Sequence, residues 1–109
     1  MLMTAYLFTF RPPGGYSATA SSFDDWARWQ LQLGARLKDR GNPAFTATTL
    51  GASVAETTLG GYSVIRAVSL DEAVALAGGC PTLGAGGAVE VAELTRHDEM
   101  FDEWLARHR

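Results

Sequence analysis

"GYSVIRAVSLDEAVALAGG", residues 61–79, decides the fold. Gly61 to Val68 is short, rich in β-branched residues and alternating, so it reads as a strand. Ser69 follows, with Glu72 three residues on, which is the S-x-x-E signature of a capping box. Leu70, Ala73, Val74 and Ala77 then recur at spacings of three and four and predict a helix with a narrow apolar stripe. Small residues in that stripe let the helix lie close to a sheet. Gly78 and Gly79 end it.

Toward the N-terminus, "MTAYLFTF", 3–10, predicts a strand. Tyr6, Phe8 and Phe10 alternate with Ala5, Leu7 and Thr9, so both faces carry apolar groups and the strand is central. "RPPGGYSATA" breaks it into a loop. Ser22 with Asp25 is a short-armed capping box. Trp26, Trp29, Leu33 and Leu37 extend a helix to about Arg40, where Gly41 offers a left-handed cap and Pro43 cannot continue. "AFTATTL", 44–50, reads as a weak, threonine-rich strand, and "GASVAETTLGG", 51–61, as a loop or hairpin. Toward the C-terminus, "AVEVAEL", 88–94, predicts a strand with Val89 and Val91 on one face and Glu90, Ala92 and Leu94 on the other. Asp98 can cap a last short helix whose Phe101, Trp104 and Leu105 share a face. Such a helix is marginal alone, so Trp104 is expected to anchor it.

Strand, helix, strand, strand, helix, strand is the order of ferredoxin-like α+β domains, here with an extra C-terminal helix. Two helices cover one sheet face only. If Ile65 and Ala67 point at the helices, then Tyr62, Val64, Arg66 and Val68 stand on the bare side, with Glu90, Ala92 and Leu94. A partly apolar bare face marks a partner or a ligand. The simplest partner is a second copy in a two-fold homodimer, whose facing sheets would enclose a small-molecule pocket.

The totals bound the rest. A chain of 109 residues is one domain, 1–109, and 47% hydrophobic with 19% charged residues is a globular profile. A net charge of −3 offers no basic footprint for nucleic acid. The apolar opening is too short to span a bilayer and lacks a basic leader, so a cytoplasmic protein without a membrane partner is expected. The single cysteine excludes an internal disulfide framework and a multi-cysteine zinc site.

Chemical motifs are weak. "GGCPTLGAGG", 78–87, has no following GK[ST] and no G-x-G-x-x-G, and it joins a helix to a strand, so no cofactor is expected. Cys80 lies past a helix C-terminus, where the dipole disfavours thiolate, and reads as a small apolar residue. His97 and His108 read as surface groups, with no metal site. Trp26 and Trp29 sit at core spacing, although they could also stack an aromatic ligand. Asn42 is either turn chemistry or an amide aimed into a pocket. Arg66 and Glu90 are charges on a partly apolar face, which pair or contact a ligand or partner.

"GNPAF", "TTLGGYSVIRAVSLDEAVALAGGCP" and "GGAVEVAEL" together resemble the YCII-related (YciI-like, DGPF) family, over roughly Met3 to Leu94. The resemblance implies a ferredoxin-like fold that pairs as a dimer related to the dimeric α+β barrels. Some members resemble enzymes with a proposed catalytic His–Asp pair, and one branch is similar to a dechlorinating enzyme of aromatic degradation. This chain has no histidine before His97, and "GASVAETTLGG" replaces the DGPF signature, so that pair is not carried over. Asn42, Gly60, Gly61, Tyr62, Cys80, Pro81, Gly87 and Glu90 do match. The glycines and Pro81 then serve backbone geometry, and Asn42, Tyr62 and Glu90 become pocket candidates.

Three readings follow. The first is a dimeric small-molecule-binding protein and, in its fuller form, a cofactor-free enzyme acting on an enol or small aromatic. Glu90 would be its acid–base group, with Tyr62 and Arg66 as orienting donors. The second is a non-catalytic regulatory or accessory dimerisation module, in which Glu90 and Arg66 form a structural pair. A thiol protein using Cys80 ranks last.

Overall fold

The computed structural model describes residues 2–17, 20–44, 46–52 and 59–109. The chain runs through strand β1 (Thr4–Arg11), helix α1 (Ala20–Leu33), strands β2 (Leu37–Pro43) and β3 (Gly61–Ala67), and helix α2 (Leu70–Ala77). The one-turn helix α3 (Pro81–Gly84), strand β4 (Ala88–Glu93) and helix α4 (His97–His108) complete it. The strands form one sheet in the order β2-β3-β1-β4, each neighbouring pair antiparallel. This α+β arrangement fits a ferredoxin-like fold. Among the described residues, no helix is long and apolar enough to cross a membrane.

The alternation in β1 builds the core. Tyr6, Phe8 and Phe10 are all buried on one face, beneath α1 and α2. Ile65 and Ala67 of β3 are fully buried beside them, and Val89 and Val91 of β4 pack against the same cluster. Trp29 closes it from α1, with its ring centroid 6.3 Å from that of Phe8. Each such large apolar side chain removed from water stabilises the fold by roughly 1.5–3 kcal/mol. The Trp29 indole N–H donates to the Leu76 carbonyl at 3.3 Å, so its polar atom is satisfied. A Cβ on Gly79 would stand 3.1 Å from that indole, which is why the glycine-rich stretch passes so close to α1.

The first helix is shorter than its periodicity predicts. It ends at Leu33, because Gly34 adopts φ +55° and a 3-10 turn follows over Gly34–Arg36. Leu37, one helical turn beyond Leu33, opens β2 opposite Ile65. The second strand is therefore "LKDRGNP", not 44–50, and no described residue of 44–50 is in a strand. "GNP" does not stop a helix. It lies inside an irregular edge strand, where Pro43 removes no needed ladder donor. Gly41 is left-handed as expected, with φ +70°, but it serves a bulge. The Asp39 carboxylate accepts its N–H at 2.8 Å. Most of the expected 51–61 loop or hairpin lies outside the described residues.

The strand–cap–helix reading of 61–79 is borne out, with two adjustments. Ser69 Oγ accepts the Glu72 N–H at 3.1 Å, completing one half of the capping box. Glu72 does not reach back to Ser69. Its carboxylate accepts the Val68 N–H at 3.2 Å and pairs with Arg36, tying the start of β2 to α2. The buried stripe of α2 is Ala73 and Ala77 with part-buried Leu76, while Leu70 and Val74 are exposed. Ser22 is not a cap but lies in the first turn of α1, and Asp25 pairs with Arg28 at 3.1 Å. Asp98 lies within the first turn of α4, which Arg96 precedes.

The expected anchoring of α4 is also corrected. Among the described residues the helix packs substantially on no other element, and Met100, Phe101 and Trp104 are all about half exposed. Its aromatic groups stack on one another instead, with ring centroids 6.4 Å apart for Phe101 and Trp104 and 4.2 Å for Trp104 and His108. His108 Nδ1–H donates to the Trp104 carbonyl at 2.7 Å, closing the last turn.

Two predictions follow from these contacts. A Cβ at Gly41 would sit 1.7 Å from the Tyr62 carbonyl oxygen, whereas one at Gly34 meets nothing. In urea unfolding, Gly34→Ala should then destabilise by about 1–2 kcal/mol for its left-handed backbone alone, and Gly41→Ala by more, since the bulge must move as well. The Arg36 hydrogen bond, helped by the Val68 N–H, holds the Glu72 carboxyl below its usual value. That stabilisation is present above the unfolded-state pKa and is lost as the pH falls through the depressed folded-state value. Glu72→Gln should accordingly flatten the acid side of the stability profile, measured as unfolding midpoint against pH.

Candidate functional site

The sheet register sorts the bare face into rows. Thr9 lies opposite both Tyr62 and Glu90, and Asn42 lies opposite Tyr62. One row, Asn42–Tyr62–Thr9–Glu90, therefore crosses all four strands. Asn42 Nδ2 donates to the Tyr62 hydroxyl at 3.4 Å, and Thr9 Oγ1 donates to Glu90 Oε1 at 3.5 Å. The next row is apolar on three strands, Val64, Leu7 and Ala92, with Asp39 opposite Val64 on β2. Beyond it Arg66 lies opposite Ala5, whose carbonyl accepts the Leu94 N–H at 2.9 Å.

These rows separate the two charges. Arg66 and Glu90 stand on opposite sides of β1, at the levels of Ala5 and Thr9. Two strand spacings and four residues put their Cα atoms on the order of 16 Å apart. The expected Arg66–Glu90 pair within one chain is thus ruled out by register, as both parities are right but the levels differ.

The polar row runs into a cleft at its β2 end. This cleft, of about 800 Å³, is lined by Trp26, Asn42 and Tyr62 together with Phe10, Phe23 and Arg40. It opens where β1 ends and β3 begins, with the first half of α1 as its other wall. Arg66 and Glu90 are not among its lining residues. Trp26 is half-buried. It meets Phe10 edge-on at 4.7 Å and Trp29 edge-on at 5.6 Å, so it belongs to the core and to the cleft at once.

The β2 bulge shapes the polar side of this cleft. Asp39 faces Val64 and Asn42 faces Tyr62, so Arg40 and Gly41 together oppose the single residue Ser63. Such an insertion bends an edge strand and re-aims its side chains. Buried Ser63 Oγ donates to the Arg40 carbonyl at 2.6 Å and fixes the distortion. Alongside, Ala44 N–H donates to the Gly60 carbonyl at 3.0 Å, and Gly60 N–H donates to the Phe10 carbonyl at 2.6 Å. Arg40 was hidden from the sequence reading because the helical period runs on to it, whereas Phe23 lies in α1 but off the Trp26–Trp29–Leu33 stripe. The usable signal was Asp39-x-Gly41, an Asx-type turn preceding a left-handed glycine.

Cys80 stands apart from this site. It is buried, and burial pushes its thiol above the ordinary value, opposed by hydrogen bonds from Thr82 and Leu83. The glycine-rich stretch does contain a helix start, the single turn of α3, but Pro81 at its first position brings no N–H. The sulfhydryl is therefore protonated at neutral pH and shielded. No group of three or more His, Cys, Asp or Glu able to hold a metal occurs among the described residues.

No protein-family model matches the chain, and no curated protein matches it. The site is accordingly read from its own geometry.

Iodoacetamide labelling tests the thiol assignment. Cys80 should react slowly in the native protein and rapidly in urea. Rapid native labelling at neutral pH would contradict the buried, protonated thiol.

Proposed function

We propose that this protein is a homodimer that binds a small molecule in the cleft, and that it belongs with the YCII-related proteins its motifs resemble. One observation carries the binding reading: Trp26, Asn42 and Tyr62, distant in sequence, line the same cleft of about 800 Å³. That volume falls in the usual range for small-ligand sites, roughly 300–1,000 Å³. The walls combine aromatic surface with a few polar groups, as such sites do.

Several features support a second copy. Val64, Leu7 and Ala92 form an apolar row that no helix covers, and Leu94 beside it is 39% exposed. On helix α4, Met100 and Trp104 are each about half exposed. The radius of gyration is 16.0 Å. A compact chain of this length has about 13 Å. Pairing through the bare face would bury the apolar row and leave the polar row to border the clefts, with Arg66 serving the interface.

Acid–base catalysis by Glu90 is the less supported half of this reading. Glu90 lies outside the cleft, two strands from Tyr62, which is about 10 Å across the sheet. This distance favours binding in the cleft without chemistry at Glu90.

Sedimentation velocity on the wild type and on Val64→Asp tests the pairing. The wild type should sediment as a dimer at micromolar concentration and the variant as a folded monomer, since Val64 lies outside the core. A wild-type monomer, or a variant that remains dimeric, would contradict the sheet-face interface.

A further inference from the structure

The cleft's electrostatics narrow its ligand, an inference that rests on the binding reading above. Of the described residues lining it, Arg40 is the single charged one, and no carboxylate is among them. The ion pairs among the described residues are Arg28–Asp25 and Arg36–Glu72, so no described carboxylate engages the Arg40 guanidinium. The neighbouring Asp39 carboxylate is turned to the Gly41 N–H. The aromatic part of the wall comes from Phe10, Phe23, Trp26 and Tyr62, with neutral polar side chains such as Gln30, Ser63 and Thr82 between them. Asn42 adds a neutral amide donor, one of whose two protons already points to the Tyr62 hydroxyl.

A cation lining a largely aromatic cleft, with no described carboxylate beside it, discriminates by charge. A flat ring gains by covering the exposed aromatic surface. A carboxylate on that ring meets a planar fork of donors that matches it in two hydrogen bonds. An amine would be repelled by the same guanidinium. A di- or triphosphate would leave most of its charge unmatched, because the described lining holds one arginine and no lysine. We propose that the cleft selects a small planar aromatic monocarboxylate, its ring against Trp26 and its carboxylate on Arg40, with Asn42 as the accessory donor.

The test is a titration of the full chain with 2-naphthoate, 2-naphthamide and 2-naphthylmethylammonium. Binding is followed by tryptophan fluorescence and by the shift of the Trp26 indole signal in nuclear magnetic resonance. The acid should bind at least about tenfold tighter than the amide, as expected for a charge-assisted contact, and the ammonium weakest of all. Arg40→Gln, at an exposed edge position, should keep the native circular dichroism and bring acid and amide to equal affinity. Equal binding of acid, amide and ammonium to the wild type would overturn the carboxylate preference while leaving the cleft as a binding site. An acid preference that survives Arg40→Gln would likewise overturn the role of Arg40. No shift at Trp26 with any of the three would overturn both this inference and the binding reading beneath it.

Discussion

The structure depends on the two-sided central strand. β1 hydrogen-bonds to β3 on one side and β4 on the other, so its backbone is satisfied throughout. Its side chains then divide without compromise. Tyr6, Phe8 and Phe10 go into the core, and Ala5, Leu7 and Thr9 form the midline of the opposite face. A one-residue slip would place three aromatic groups in water. Because that register is so strongly specified, the positions of Tyr62, Arg66 and Glu90 relative to one another are specified with it. The polar row, the apolar row and the cationic end of the bare face all follow from one alternating strand.

The same constraint leaves the second face of the sheet without the packing that the first face has. The core uses one face of the sheet, and α1 and α2 lie on that face. The molecule is only 20 Å thick along its shortest axis and 53 Å along its longest. An apolar row and the half-exposed Met100 and Trp104 of α4 remain outside, and a short helix gains most of its stability from packing. The dimer reading and the cleft reading meet here, since the polar row that ends at the cleft also borders the apolar row.

Much of the fold was legible from particular residues. Ser69 with Glu72 located the start of α2, and the alternations in 61–67 and 88–93 placed Ile65, Val89 and Val91 on the helix side. What the periodicity concealed was the end of α1. Leu33 and Leu37 are four apart and read as one helical stripe, yet Gly34 turns the backbone and Leu37 reaches the same core from a strand. That one misreading displaced β2 and hid Arg40. The site was legible by residue type, since Trp26, Asn42 and Tyr62 do line one cleft. Its extent was not, because pairing Arg66 with Glu90 required the strand register, which no local pattern encodes. The stripe of α2 was misjudged for a similar reason. Leu70 and Val74 fit the period, but the close approach of the helix to the sheet selects Ala73 and Ala77.

A native mass spectrum of the gently purified protein tests the central claim most directly, because it reads assembly and occupancy together. The account predicts a dimer carrying a small added mass for each chain, one ligand for each cleft. A bare monomer would contradict it, leaving the exposed sheet face and the cleft without the roles assigned to them.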